Sequence, residues 1–172
     1  MNYILLILAA AVLVRLVTLK ISITNEKAIQ EQGGTEHGAL NSKILAGAHF
    51  SYYIGSGVEA WLKNVHFNQY TGAGVVLFLF SMAMLAWVIV SLKNIWTVKI
   101  YILKNHTLNQ NALFRFVRHP NYFLNVIPEL VAIALICQSW NVLMFGLPLY
   151  LVVLGVRIVQ EERAMKANFT EY

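Results

Sequence analysis

The chain has no aspartate, one cysteine, three prolines and few charges: thirteen basic residues and eight acidic ones, all glutamate, in 172. So sparse a charge complement cannot clothe the surface of a soluble domain. The lone Cys137 cannot close an internal disulfide, and without a second cysteine there is neither a zinc-type pair nor a CxxC redox motif. Cysteine usage therefore leaves the redox compartment open. No stretch rich in Gly, Ser or Pro divides the chain, and no repeat or low-complexity tract interrupts it, so residues 1–172 read as a single membrane-embedded domain. Also missing are a GxSxG elbow, an HExxH pair and a Walker-type glycine loop. Thr71-Gly72-Ala73-Gly74 is a fragment of a dinucleotide turn, but it opens an apolar span and reads as helix packing. The five histidines have no ligand-like spacing, and no metal site is expected.

What the chain does have is apolar length. Hydrophobic residues make up 58% of it and mean hydropathy is +0.60, as in an integral membrane protein. The net charge of +5 does not imply nucleic-acid binding, because the basic residues lie between apolar spans and not on one solvated face. Five apolar segments are visible, at residues 3 to about 19, 44–62, 71–92, 122–137 and 142–158. A helix needs about 20 residues to cross about 30 Å of hydrocarbon. The third segment, 22 residues without a charge, meets that outright, and the fourth and fifth are short. Their tight connector, Gln138-Ser139-Trp140-Asn141, predicts an antiparallel helical hairpin, with a re-entrant hairpin as the alternative. The expected fold is all-α, with five transmembrane helices and a helical C-terminal extension over residues 160–172. The polar loop at 25–42 is expected to hold a short helix over 26–32. The connector at 93–117, with Trp96, Tyr101, Phe114 and Phe116, is a candidate lid or ligand wall. No basic residue precedes the first apolar run, so a removable signal peptide is not expected.

Charge sets the topology. Cytoplasmic loops are enriched in Lys and Arg. With the N-terminus outside, the cytoplasmic side receives Lys20, Lys27 and Lys43, then Lys93, Lys99, Lys104, Arg115 and Arg118, then Arg157, Arg163 and Lys166. That is eleven of the thirteen basic residues, leaving Lys63 outside and Arg15 within the membrane. This orientation brings Arg118-His119-Pro120-Asn121-Tyr122 and Glu161-Glu162 to one cytoplasmic border, where they can close over a single polar ligand.

Pro120 suits the first position of a helix, where its missing N–H costs nothing. The following amides, beside Arg118 and His119, are expected to bind an anion such as a phosphate or carboxylate. The alternative is that Arg118 anchors the helix in lipid headgroups and His119 only caps it. Tyr122, Asn125 and Glu129 follow i, i+3, i+7 spacing and share a face, which sets Glu129 about 10 Å deeper along the helix. A carboxylate at that depth must be paired or line a polar cavity. Arg15 and His49 lie at similar depth, so a polar cavity between the first, second and fourth helices is expected, or else a structural Arg15–Glu129 ion pair. Glu59 lies nearer the outer end and reads as a structural or interfacial residue. Glu161-Glu162 is either a soluble face or, if the tail folds back, a partner for hydroxyls or an ammonium group.

Arg118-His119-Pro120-Asn121-Tyr122, with Arg157, Glu161-Glu162, Phe169 and Tyr172, resembles the isoprenylcysteine carboxyl methyltransferase family, whose members are membrane enzymes that use S-adenosylmethionine. The RHPxY and EE pairing across a helical hairpin is fairly specific to that family and its phospholipid methyltransferase relatives, and the likeness covers roughly residues 96–172. It implies S-adenosylmethionine held within residues 93–172 by Arg118, His119, Tyr122, Glu161 and Glu162. Leu124 stands where the family often has Gly. The run from His119 to Tyr122 with Val126 and Glu129, and Ser22, Asn25-Glu26-Lys27, Glu36, Gly38, Asn41-Ser42 and His49 in the N-terminal half, look closer to the bacterial branch that methylates alkylpyrones and alkylresorcinols. The resemblance implies methyl transfer to a hydroxyl or carboxyl of a small lipophilic acceptor drawn from the bilayer, alkylpyrone/alkylresorcinol-like or prenylcysteine-like. Glu129, His49 and Asn125 are the candidate catalytic residues. Two rivals stand beside this expectation: a small carrier that uses Glu129 as its coupling carboxylate, and a membrane-embedded nicotinamide-dependent reductase.

Overall fold

The computed structural model describes residues 3–102 and 117–168. Phe114, Phe116, Phe169, Tyr172 and most of the expected lid lie outside the described residues. Five helices carry the fold among the described residues. The first, α1 (Tyr3–Glu31), is much longer than the apolar run that starts it. No Gly or Pro interrupts residues 20–32, so the short helix expected over 26–32 is the continuation of α1. It ends at Gly33, whose φ of +83° is open to glycine, with the Gly34 amide bonded back to the Ile29 carbonyl at 2.9 Å.

Helix α2 (Ala39–Leu62) follows Gly38, and α3 (Gln69–Leu92) starts on a capping box in which Asn68 and Thr71 satisfy each other's backbone amides. Between α1 and α2 lies β1 (Thr35–His37), and after α3 lies β2 (Ile100–Ile102). They pair antiparallel with Glu36 opposite Tyr101. This ribbon, which departs from the purely helical expectation, ties the first connector to the third.

Helices α4 (Asn121–Cys137) and α5 (Val142–Asn168) each open on a π-helical turn, Asn121–Val126 and Val142–Gly146. Pro128 and Pro148 explain both. Neither can donate to the carbonyl four residues back, and widening the turn before the proline relieves the clash. The amides of Ile127 and Leu147 accordingly bond five residues back, to Tyr122 and Val142.

Helix α4 is the axis of the molecule. Leu130, Ala132, Ile133, Ala134, Ile136 and Cys137 are all fully buried, while Leu13, Val17, Ile54, Val76, Leu79 and Val152 on the surrounding helices are exposed. That inside-out pattern is a lipid-facing surface around one enclosed helix. Three helices, Tyr3–Glu31, Gln69–Ile95 and Val142–Asn168, are long and apolar enough to cross a membrane, and Asn121–Cys137 is a shorter apolar helix. The expected turn at 138–141 is present, but α4 and α5 diverge from it: α4 packs chiefly on α3, and α5 on α2. Gly74 allows the α3–α4 approach, since a Cβ there would sit 2.8 Å from the Ala132 carbonyl oxygen and the Ile136 nitrogen. The helix-packing role expected for the Thr71–Gly74 run is the one it has.

Candidate active site

Arg118, exposed, and His119, buried, lead into α4 through Pro120. The Tyr122 and Phe123 amides turn back to the His119 carbonyl at 3.0 and 3.1 Å, so they are not free to receive an anion as expected. The side chains make the site instead. Nδ1 of His119 lies 3.6 Å from Glu161 and Nε2 lies 3.5 Å from Glu162, ion-pair distances at which neither nitrogen has a hydrogen bond among the described residues. The Glu161 carboxylate, with Glu162 behind it, holds the His119 imidazole above its ordinary pKa, against burial, which pulls it down. The ring stacks on Tyr122 with centroids 5.7 Å apart.

Tyr122 donates its hydroxyl proton to Glu161 at 2.5 Å and accepts from Nε of Arg157 at 3.2 Å. Arg157 is 1% exposed and also donates to Ser42 Oγ at 2.5 Å and to the Val98 carbonyl at 2.6 Å. One buried guanidinium thus joins the start of α2, the connector after α3, the start of α4 and the extension of α5. The ribbon supports the same wall, as Ile100 and Ile102 pack on Ala164 and Met165 of α5. Gly38, at φ +67°, lets the start of α2 approach α5, where a Cβ would collide with the Gln160 side chain. The two ionisable clusters, far apart in sequence, are neighbours.

Deeper along α4 lies a second polar centre, between α1, α2, α4 and α5. Arg15 grips both carboxylate oxygens of Glu129 and donates to Asn125 Oδ1 at 3.0 Å. Tyr53 donates to Glu129 at 2.6 Å, and His49 lies 3.9 Å from the same carboxylate and 3.3 Å from the Tyr150 hydroxyl. Asn125 donates onward to the Ser81 carbonyl at 3.0 Å. Glu129 and Asn125 are fully buried, whereas the Arg15 side chain is 20% exposed. The expected polar centre therefore forms as a bonded network that contains the Arg15–Glu129 pair. Sequence reasoning missed Tyr53 and Tyr150, which look ordinary in apolar helices. The available signal was the α5 stripe Tyr150, Leu154, Arg157, Glu161, spaced i, i+4, i+7, i+11.

Of the two readings open to Glu59, structural or interfacial, its contacts are structural. Its carboxylate accepts from the Asn141 and Val142 amides, each at 3.2 Å, and from Lys63 at 2.5 Å, capping the start of α5 from α2. Among the described residues no group of three His, Cys, Asp or Glu is arranged to hold a metal ion.

The family model of the isoprenylcysteine carboxyl methyltransferase (ICMT) family matches residues 74–167, more than half of the chain. The chain belongs to the ICMT family. The matched segment contains α4 and most of α3 and α5, and so His119, Tyr122, Asn125, Glu129, Arg157, Glu161 and Glu162, while Arg15, His49 and Tyr53 precede it. The ICMT family comprises membrane methyltransferases that use S-adenosylmethionine, and this chain is a membrane methyltransferase at that level. It is 46% identical over 161 residues to an uncharacterized protein of Haemophilus influenzae, covering 94% of each chain. It is 24% identical over 161 residues to the uncharacterized protein YpbQ of Bacillus subtilis, covering 94% of this chain and 95% of that one. No solved structure matches it.

Proposed function

We propose that this protein is a membrane O-methyltransferase that moves a methyl group from S-adenosylmethionine to a hydroxyl or carboxyl of a small lipophilic acceptor, alkylpyrone/alkylresorcinol-like or prenylcysteine-like. The observation that carries the proposal is the meeting of His119 and Tyr122 with Glu161 and Glu162 inside the family-matched segment. S-adenosylmethionine supplies an electrophilic methyl on a sulfonium, beside an ammonium, a carboxylate, a ribose diol and an adenine. The donor set suits those groups: two carboxylates for ammonium or diol, Arg118 for the carboxylate, and the His119–Tyr122 stack for the base. Buried polar atoms with no partner among the described residues cluster here too, namely both His119 nitrogens, Asn121 Oδ1 and Gln160 Oε1. Such atoms are costly unless a ligand or water meets them.

On the acceptor side we assign Glu129, His49 and Asn125. Arg15, pinned to Glu129 but partly exposed, offers positive charge for an ionised acceptor oxygen, and His49 takes the proton from an acceptor that arrives neutral. Alignment and exclusion of water in this enclosed centre supply the rate. The lysine and arginine pattern supports five crossings with the N-terminus outside and the site and C-terminus at the cytoplasmic border of the cell membrane.

The test is calorimetric titration of the detergent-purified protein with S-adenosylhomocysteine, beside His119→Ala and Glu162→Gln. We expect the wild type to bind and both folded variants to lose affinity. A folded wild type that does not bind overturns the proposal and favours the carrier, and binding of a nicotinamide cofactor instead favours the reductase. Glu129→Gln is expected to keep cofactor binding and lower turnover.

A further inference from the structure

A groove of about 470 Å³ runs between α2 and α5, walled by Ala48, Ser51, Tyr52, Phe145, Leu149 and Tyr150 among others. Phe145 and Leu149 on its rim are 64% and 70% exposed, so it opens on the lipid-facing surface. Two tyrosines make it more than a crease between helices. The Tyr52 side chain is almost wholly buried, yet its hydroxyl has no hydrogen-bond partner among the described residues. A hydroxyl left so is expected to find a partner in a ligand or water. The Tyr150 hydroxyl is the outermost link of the polar chain that runs through His49 to Glu129, at 3.3 and 3.9 Å. Apolar groove and polar centre therefore meet at one side chain.

Depth selects the occupant. Tyr150 precedes Arg157 by seven residues on one helix, about 10 Å further into the membrane than the donor cluster. A bilayer phospholipid keeps its bulky charged head at the border and cannot bring it to Tyr150. A molecule with a small head, such as a phenol, enol or carboxyl, can. We infer that the α2–α5 groove seats the aliphatic chain of the methyl acceptor and that Tyr150 positions its oxygen-bearing head beside His49. This rests on the methyltransferase reading and adds to it a chain site and a positioning residue. The chain moves from lipid to groove and not from water, so selection by length comes from fit and not from hydrophobic transfer.

The probe is 5-pentadecylresorcinol carrying a diazirine in its tail, photolysed with the purified protein in detergent, and the labelled positions are mapped by mass spectrometry. Labelling is expected on residues 44–53 and 142–153, reduced at least tenfold by unlabelled 5-pentadecylresorcinol and not by phosphatidylglycerol. Labelling elsewhere, or equal competition by phosphatidylglycerol, overturns the inference and leaves the groove a seat for bulk lipid. Ser51→Trp and Leu149→Trp, both at exposed positions, should raise KM for 5-pentadecylresorcinol about tenfold and leave 5-methylresorcinol unchanged. Tyr150→Phe should raise KM for both about fivefold with kcat unchanged, and an unchanged KM removes Tyr150 from the proposal. Binding of S-adenosylhomocysteine, measured on the same preparations, keeps the two readings apart. Its absence with groove labelling intact sinks the methyltransferase, and its presence with labelling elsewhere sinks only the groove.

Discussion

Removing Arg15 is the sharpest test of the buried centre, because its two partners are unequally placed. Glu129 is fully buried and receives both Arg15 and Tyr53, whereas the Arg15 side chain is 20% exposed and also reaches Asn125. In Arg15→Ala the carboxylate keeps one neutral hydrogen bond and has no counter-charge. Stranding one partner of a buried pair typically costs about 3–5 kcal/mol. Glu129→Gln leaves the cation instead, and that cation keeps Asn125 at 3.0 Å and can extend toward the border, so about 1–2 kcal/mol is expected. In the double variant Arg15→Ala/Glu129→Gln no charge is left stranded, and stability should recover by about 2 kcal/mol relative to Arg15→Ala. Reversible unfolding of detergent-solubilised protein by SDS, followed by tryptophan fluorescence, reads all three. A double variant no more stable than Arg15→Ala would refute the argument, because the cost would then not lie in the uncompensated carboxylate.

Three further outcomes follow from the same geometry. Glu59→Ala leaves the Asn141 and Val142 amides without their acceptor and should cost about 1–2 kcal/mol in the same unfolding assay, with S-adenosylhomocysteine binding intact. Gly74→Ala drives a methyl against backbone of α4 and should cost about 1–3 kcal/mol, while Gly72→Ala, with nothing within 4 Å of its added Cβ, serves as the control expected within about 0.5 kcal/mol of wild type. The folded-state pKa of His119 is raised, so its contribution to stability is full below the ordinary histidine pKa and is lost as pH rises through the folded value. The melting-temperature difference between wild type and His119→Gln should therefore be largest near pH 5.5 and shrink toward pH 9, and a difference that grows with pH would reverse the assignment.

The parts of the fold legible in the sequence are those with a contiguous signal. Helices α2, α3 and α4 begin and end within a few residues of their apolar runs, because Gly, Pro and polar residues punctuate them, and α5 starts with its run and continues into the expected C-terminal extension as far as Asn168. Hydropathy ends α1 too early, because a helix leaving the membrane needs only the absence of breakers to continue. The ribbon was invisible for another reason. Thr35-Glu36-His37 and Ile100-Tyr101-Ile102 are too short to show a period of two, and their pairing joins segments more than sixty residues apart. The expected hairpin has its tight turn, but α4 and α5 pack chiefly on other helices, since a turn fixes where two helices meet and not which neighbours each one prefers.

The site divides along the same line. Asn125 and Glu129 stand out because charged and amide side chains are rare within the apolar runs and each one there needs an explanation, and His119, Tyr122, Glu161 and Glu162 because they cluster at the ends of such runs. What joins them could not be found that way. Arg157 is held by a serine hydroxyl from α2 and a backbone carbonyl from the connector, groups as common as any in the sequence. Tyr53 and Tyr150 are likewise unremarkable until the helices assemble. In a protein whose charges are few, the sequence exposes the ends of a polar network, because charge in hydrocarbon is costly, and it conceals the neutral links, because a hydroxyl or a carbonyl can find a partner at almost any depth.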